Sequence, residues 1–312
     1  MSEDVRVIKL SPIFQSKIWG GRNLAQYFKN VPDGKIGECW LISAHSHGDT
    51  IVENEPFKGQ TLSRVYKENR HLFGNDNNKE FPLLVKIIDA TDDLSIQVHP
   101  NDEYARKLGE SFGKEEAWLI LKAPPSKKIQ IGHHAKSIKE FKQLLSADKW
   151  NDLLKYFHIE NNCFIPVYPG TLHSILSGTL LLEIQQSSDL TYRVYDYNRL
   201  ENGHKRPLHL KEALEVINIP DNSPFPVPIL HFDTKKNIIF SGKHFMIRTL
   251  KIINNYTFNN IPYYYLLIVT SGSGKVGSLK CSLGDAFILT TSSHPLTIEG
   301  NFELVLINPK KT

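Results

Sequence analysis

Cysteine is scarce in this 312-residue chain. Cys39, Cys163 and Cys281 are too few and too scattered for a disulfide framework or a C-x-x-C metal site. Their odd number points to a reducing compartment. Long apolar runs are also missing: none approaches the roughly 18 residues that a membrane span needs. The first residues, Met1-Ser2-Glu3-Asp4, are acidic and lack the basic-then-apolar order of a secretory signal. A cytoplasmic protein is therefore expected. Concentrated charge of one sign is lacking as well. The formal charge is +4, and the only tight basic pairs are Lys127-Lys128, Lys235-Lys236 and Lys310-Lys311. A nucleic-acid partner would call for a stripe rather than isolated pairs, so none is expected. A mild positive balance instead favours a small anionic substrate.

What is present is strand-rich patterning. Leu94-Ser95-Ile96-Gln97-Val98-His99-Pro100 opens as an alternating strand, so Gln97 and His99 share a face while Ile96 and Val98 point the other way. Pro100 cannot donate to a ladder and ends the strand. Ile36–Ser43 reads as a strand with Glu38, Trp40 and Ile42 together, and Phe81–Asp89 as a buried strand in which Lys86 is an anomaly. Leu62, Val65, Tyr66 and Leu72 have helical spacing, and Gly74 is placed to stop that helix. A short helix is expected from Asp102 to Leu108, capped by Asn101 or Asp102. The paired glycines Gly20-Gly21 mark a close backbone approach.

Further along, Glu116, Trp118 and Ile120 share a strand face; a buried carboxylate there needs a partner or a metal. Residues 137–158 carry the clearest helical spacing and read as two helices broken near Ser146. Pro169-Gly170 suits a type II turn, after which a strand opens on His173. Leu180–Gln186 puts Glu183 and Gln185 together. In the Asp189–Arg199 stretch, Arg193, Tyr195 and Tyr197 fall on one strand face, and a buried arginine calls for an anionic partner. A helix around His209–Ile217 precedes a proline-rich crossing at 219–228. Short strands then follow from Ile229 to Ile307, and the histidines among them, His231, His244 and His294, lack same-face partners. The expected fold is mainly β: two jelly-roll-like barrels with a helical appendage at about 137–158. The catalytic, metal-binding unit should span 1–228, and a degenerate second barrel without metal 229–312.

Gln97 and His99 from one strand, Glu116 from the next and His173 after Pro-Gly could thus converge from separate elements, as a metal site requires. Two imidazoles, a carboxylate and an amide oxygen suit zinc or another first-row divalent ion. The H-x-P pair and the P-G-x-x-H turn resemble the metal motifs of the cupin superfamily, with glutamine replacing the first histidine of the usual H-x-H. The fuller set is more specific. Ile18-Trp19-Gly20-Gly21, Ile36-Gly37-Glu38-x-Trp40, Pro82–Lys86, Leu94–Asp102, Gly113-Lys114-x-Glu116-x-Trp118, Pro169-Gly170-x-x-His173 and Tyr192-Arg193 resemble, in order and spacing, the type I mannose-6-phosphate isomerases, short bacterial form. The resemblance implies Gln97, His99, Glu116 and His173 as zinc ligands and Arg193 as the active-site arginine. It places Lys114 and Glu183 among the pocket residues, and it implies one divalent ion per chain. The implied activity is the interconversion of an aldose and a ketose phosphate through an enediol, with Glu183 or Lys114 moving the proton. The implied partner is a small sugar phosphate, and the implied state a monomer or weak dimer. A cupin oxidoreductase or dioxygenase with iron at the same ligands, or a catalytically inert sugar-binding protein on the same scaffold, are the rival readings.

Overall fold

Seven strands form the central layer of the molecule, in the order Val227–Pro228, Cys163–Val167, Glu116–Lys122, Thr179–Gln186, Leu83–Ala90, Ile36–Ile42, Ile13–Gly21, every pairing antiparallel. The computed structural model describes residues 5–223, 227–228 and 232–311. Leu83–Ala90 and Thr179–Gln186 are buried at every position, because this sheet is covered on both faces. One face, with Leu83, Val85, Ile87, Leu182, Ile184 and Leu119, joins a large apolar core. The other carries Ile88, Leu181, Trp118 and Ile120 into a second core, and there the polar residues Lys86, Glu183 and Glu116 are buried among them. Burial on both sides explains why Phe81–Asp89 reads as a continuous apolar run rather than an alternation.

A five-stranded sheet in the order Leu154–His158, Lys128–His133, His173–Ser174, Ile96–Val98, Tyr192–Tyr195 lies across this second core. Its outer side is covered by the helices Ile138–Ser146, Trp150–Leu153 and Leu210–Val216, through Phe141, Leu153 and Ala213 against Ile96, Val98 and Val194. The two sheets are apposed like the layers of a jelly roll and are not joined by hydrogen bonds into a closed cylinder. The helical appendage is shorter than its spacing suggests. Ser137 caps the first helix by accepting from Glu140 N, but Leu154–His158 is a strand on Lys128–His133, so Phe157 belongs to the sheet. The Arg193 strand also ends early: Tyr195 closes it, and Tyr197 sits at φ +54°, off the strand face.

Other local expectations hold. The Leu62–Glu68 helix is followed by a 3-10 turn that Gly74 ends in the left-handed conformation, φ +66°. Asn101 caps Asp102–Lys107 by accepting from Tyr104 N. A Cβ on Gly20 would sit 2.4 Å from Gly37 N, which is the close approach that the paired glycines signal.

The third sheet has eight strands, among them the long antiparallel partners Phe245–Phe258 and Leu296–Pro309, paired along their whole lengths. Val7–Ser11 also belongs to it, pairing with Ala286–Leu289. Its loop at Gly242–His244 grips the central layer: Glu115 accepts from the backbone N–H groups of Lys243 (3.1 Å) and His244 (3.0 Å), and His244 lies 3.2 Å from Asp102. Pro224 and Pro226 of the crossing, the expected strand start at Ile229, and His231 lie outside the described residues; Phe232 is not in a strand.

Candidate active site and metal centre

Two rows of residues in register build the site. In the central layer, Trp118 pairs with Glu183, Glu183 with Lys86, and Lys86 with Trp40. Residues opposite one another in a ladder point to the same side, so all four face the five-stranded sheet. Glu116 and Glu38, two residues before Trp118 and Trp40, share that face. In the facing sheet, His173 pairs with Gln97 and Gln97 with Arg193. His99 follows immediately after the Ile96–Val98 strand, and Gly170, at φ +86°, turns the chain that delivers His173. Between the rows lies a cavity of about 240 Å³ lined by Gln97, Lys114, Glu183, Lys86, Arg193 and others.

His99, Glu116 and His173 converge behind Gln97 and Lys114, which line the cavity, and all three are fully buried. His99 Nδ1 donates to Leu190 O at 2.7 Å and His173 Nδ1 to Thr171 O at 2.9 Å. Each ring therefore turns the lone pair of Nε2 toward Glu116, whose oxygens lie 3.6 and 3.4 Å away. Burial pushes both imidazoles below their ordinary range, His173 to about 4, with Lys114 adding to the effect. Neutral at physiological pH, they are in the state that binds metal. Glu116 Oε1 is buried without a hydrogen-bond partner. Two aligned imidazole lone pairs and an orphaned carboxylate oxygen fit a divalent cation. Gln97 stands beside them with Nε2 3.4 Å from His173 Nε2, while its Oε1 accepts from Ser95 Oγ. Its amide must flip to present oxygen to an ion. Lys114 Nζ lies 2.6 Å from Glu116 Oε2 and 2.9 Å from His99 Nε2, so its ammonium claims two of the atoms a metal would take.

The middle of the cavity holds a buried charge chain. Glu183 accepts from Trp118 Nε1 at 2.9 Å and pairs with Lys86 at 2.7 Å; Lys86 also lies 3.8 Å from Glu38. Burial alone would raise the Glu183 carboxyl, but Lys86 and Lys114 outweigh it and hold it below its ordinary value. Burial alone would lower the Lys86 ammonium, but Glu183 and Glu38 outweigh it and push it up. Arg193 lines the cavity with its Nε buried and unpartnered. Lys86 and Glu38 show in the sequence as a lone cation and a lone acid on strand faces, and their pairing through Glu183 depends on the order of strands. Arg206 and Lys17, which also line the cavity, carry no such signal.

Acid should act on metal-free protein with a defined sign. His99 and His173 bind protons less readily folded than unfolded, so their contribution to stability is complete above about pH 6.5 and is lost as the pH falls toward 4. For His173 alone this amounts to roughly 3 kcal/mol. Glu116, raised by burial, works in the opposite sense and gains stability as it protonates. Denaturant titrations of the metal-free Glu116→Gln variant should therefore show stability falling between pH 6.5 and 4; a flat profile would refute the neutral-imidazole assignment.

The apposed sheets and the buried His–Glu–His set define a cupin-like protein with an enclosed site for a divalent metal. The family model described as phosphomannose isomerase type I, catalytic domain, matches residues 7–143. A probable mannose-6-phosphate isomerase, GmuF, of Bacillus subtilis is 41% identical over 96% of this chain and 98% of its own. The mannose-6-phosphate isomerase of Streptococcus mutans is 37% identical over 93% and 94%. The crystal structure of a mannose 6-phosphate isomerase from Bacillus subtilis superposes with a TM-score of 0.88, at 36% identity, over 97% of this chain and 99% of that one. The chain belongs to the type I phosphomannose isomerase family.

Proposed function

We propose that this protein interconverts mannose 6-phosphate and fructose 6-phosphate, with one zinc ion held by His99, Glu116 and His173 and, after an amide flip, by Gln97. The observation that carries the reading is the convergence of two buried imidazole Nε2 atoms on Glu116, one of whose oxygens is unpaired, beside a cavity to which Lys17, Lys86, Lys114, Arg193 and Arg206 contribute. Zinc suits a set of two nitrogens and a carboxylate oxygen. When bound, the ion supplies Lewis-acid polarisation of the sugar's carbonyl and hydroxyl oxygens.

The remaining chemistry falls to side chains. Glu183, held ionised by Lys86, is in the proton-accepting form for C2, and the Lys114 ammonium, released from Glu116 and His99, is the neighbouring proton donor. Arg193 offers an unpaired N–H to the developing enediolate. Trp118 and Trp40 hold the two carboxylates Glu183 and Glu38 by their indole N–H groups, which keeps the charge chain in place while protons move. The site needs no second copy in this reading: the protein acts in the cytoplasm as a monomer or weak dimer.

A coupled assay for fructose 6-phosphate formation tests this directly. Conversion of mannose 6-phosphate should stop in the presence of a chelator and return on adding a divalent ion. No conversion by the loaded protein would refute the isomerase reading, and full activity in a metal-free preparation would refute the metal.

A further inference from the structure

The cations that line the cavity are not equally engaged. Lys86 is matched by Glu183 and Glu38, Lys17 leans toward Glu38 at 3.9 Å, and Lys114 is matched by Glu116. Elsewhere a single buried carboxylate, Asp196, is paired with Arg199 and Arg206 and also acts on Arg193. Glu201, the other acid bearing on Arg193, is exposed and screened by solvent. Asp196 cannot neutralise all three guanidinium groups, so the cluster round it is left net positive.

Within the trio the roles differ. Arg199 is spent on Asp93 O, Asp196 and the face of Tyr197, and it does not line the cavity. Arg193 lies in register with Gln97, on the metal side. Arg206 does line the cavity, its side chain only 9% exposed. Asp196 clamps it through Nε and Nη2, and Nη1 has no hydrogen-bond partner among the described residues. A guanidinium fixed on one edge and open on the other is preorganised for a tetrahedral dianion, since little side-chain entropy remains to be lost on binding.

We propose that Arg206, oriented by Asp196, is the anchor for the phosphate monoester dianion of the substrate. The inference rests on the sugar-phosphate reading of the site and assigns its second end. It separates the work of the two arginines: Arg206 binds the non-reacting phosphate, in ground state and transition state alike, while Arg193 faces the reacting carbons.

The test uses the metal-loaded full chain. In Arg206→Ala, KM for mannose 6-phosphate should rise about ten- to a hundredfold with kcat nearly kept, as expected for the loss of a charged hydrogen bond made equally in both states. The inhibition constant of inorganic phosphate should rise by the same factor. Arg206→Lys keeps the pair with Asp196 and guards against a misfolded alanine variant; its KM and phosphate inhibition constant should still be raised severalfold. Unchanged KM and phosphate inhibition in either folded variant would overturn the proposal, as would a collapse of kcat at constant KM. If the wild-type protein turned over no sugar phosphate, the isomerase reading would fall. Calorimetric binding of inorganic phosphate, lost in Arg206→Ala, would then still decide the anchor.

Discussion

His173→Ala should leave a folded protein that holds no metal and has lost activity by more than about a thousandfold, beyond the hundred- to thousandfold that removing one oxyanion-stabilising donor costs. His99→Ala should do the same. Each ring contributes one of the two imidazole lone pairs at the centre, and among the described residues no other histidine joins the His99–Glu116–His173 cluster. Folding should survive, because Lys114 remains to pair with Glu116. Metal content by mass spectrometry and turnover should fall together across the two variants. Gln97→Ala provides the contrast. Its amide oxygen already has a partner in Ser95, so its loss should weaken metal retention without abolishing it. A His173→Ala protein that kept a full equivalent of metal would sink the ligand assignment.

Arg193→Ala should lower kcat and kcat/KM together, by about a hundred- to a thousandfold, with KM little changed. The reason lies in register. His173, Gln97 and Arg193 stand side by side across three strands, about 5 Å apart from one to the next, which puts the guanidinium beside the ligand set. Its unpaired buried Nε needs an acceptor that exists only when substrate is bound or, more fully, when charge has built up on the enediolate. Arg193→Lys keeps the charge but not the fork and should recover little. If Arg193→Ala instead raised KM and kept kcat, Arg193 would be a phosphate ligand and not a catalytic residue.

Much of the site is legible in the sequence because its chemistry rides on strand alternation. Gln97 with His99, Glu116 with Trp118, and Glu183 with Gln185 are pairs two residues apart, and a period of two is local information. The cross-strand partners are not local: that Lys86 meets Glu183 follows from strand order and register, which no single segment encodes. Arg206 follows an exposed two-residue hairpin arm, His204–Lys205, with no periodicity to mark it. The helical reading held for Trp150 and Leu153 but failed for Leu154 and Phe157, for a different reason. Their spacing fits one helix face, but the unpaired edge of Lys128–His133 recruits Leu154–His158 as a strand, and tertiary pairing outweighs a short helical pattern. The long strands of the third sheet read as fragments because Asn254 and Gly300 interrupt them. The two are paired with each other, both at positive φ, so the ladder bends there without ending.

The pairing of Val7–Ser11 with Ala286–Leu289 has a consequence for the order in which the molecule is made. This strand emerges from the ribosome long before the one it binds, and the third sheet cannot take its final form until Ala286–Leu289 has followed. Until then Ile8 and Leu10, both destined for the large core, have no cover from that partner. The nascent chain therefore carries an uncompleted sheet edge through most of its synthesis, and it is at this stage that chaperone protection matters most.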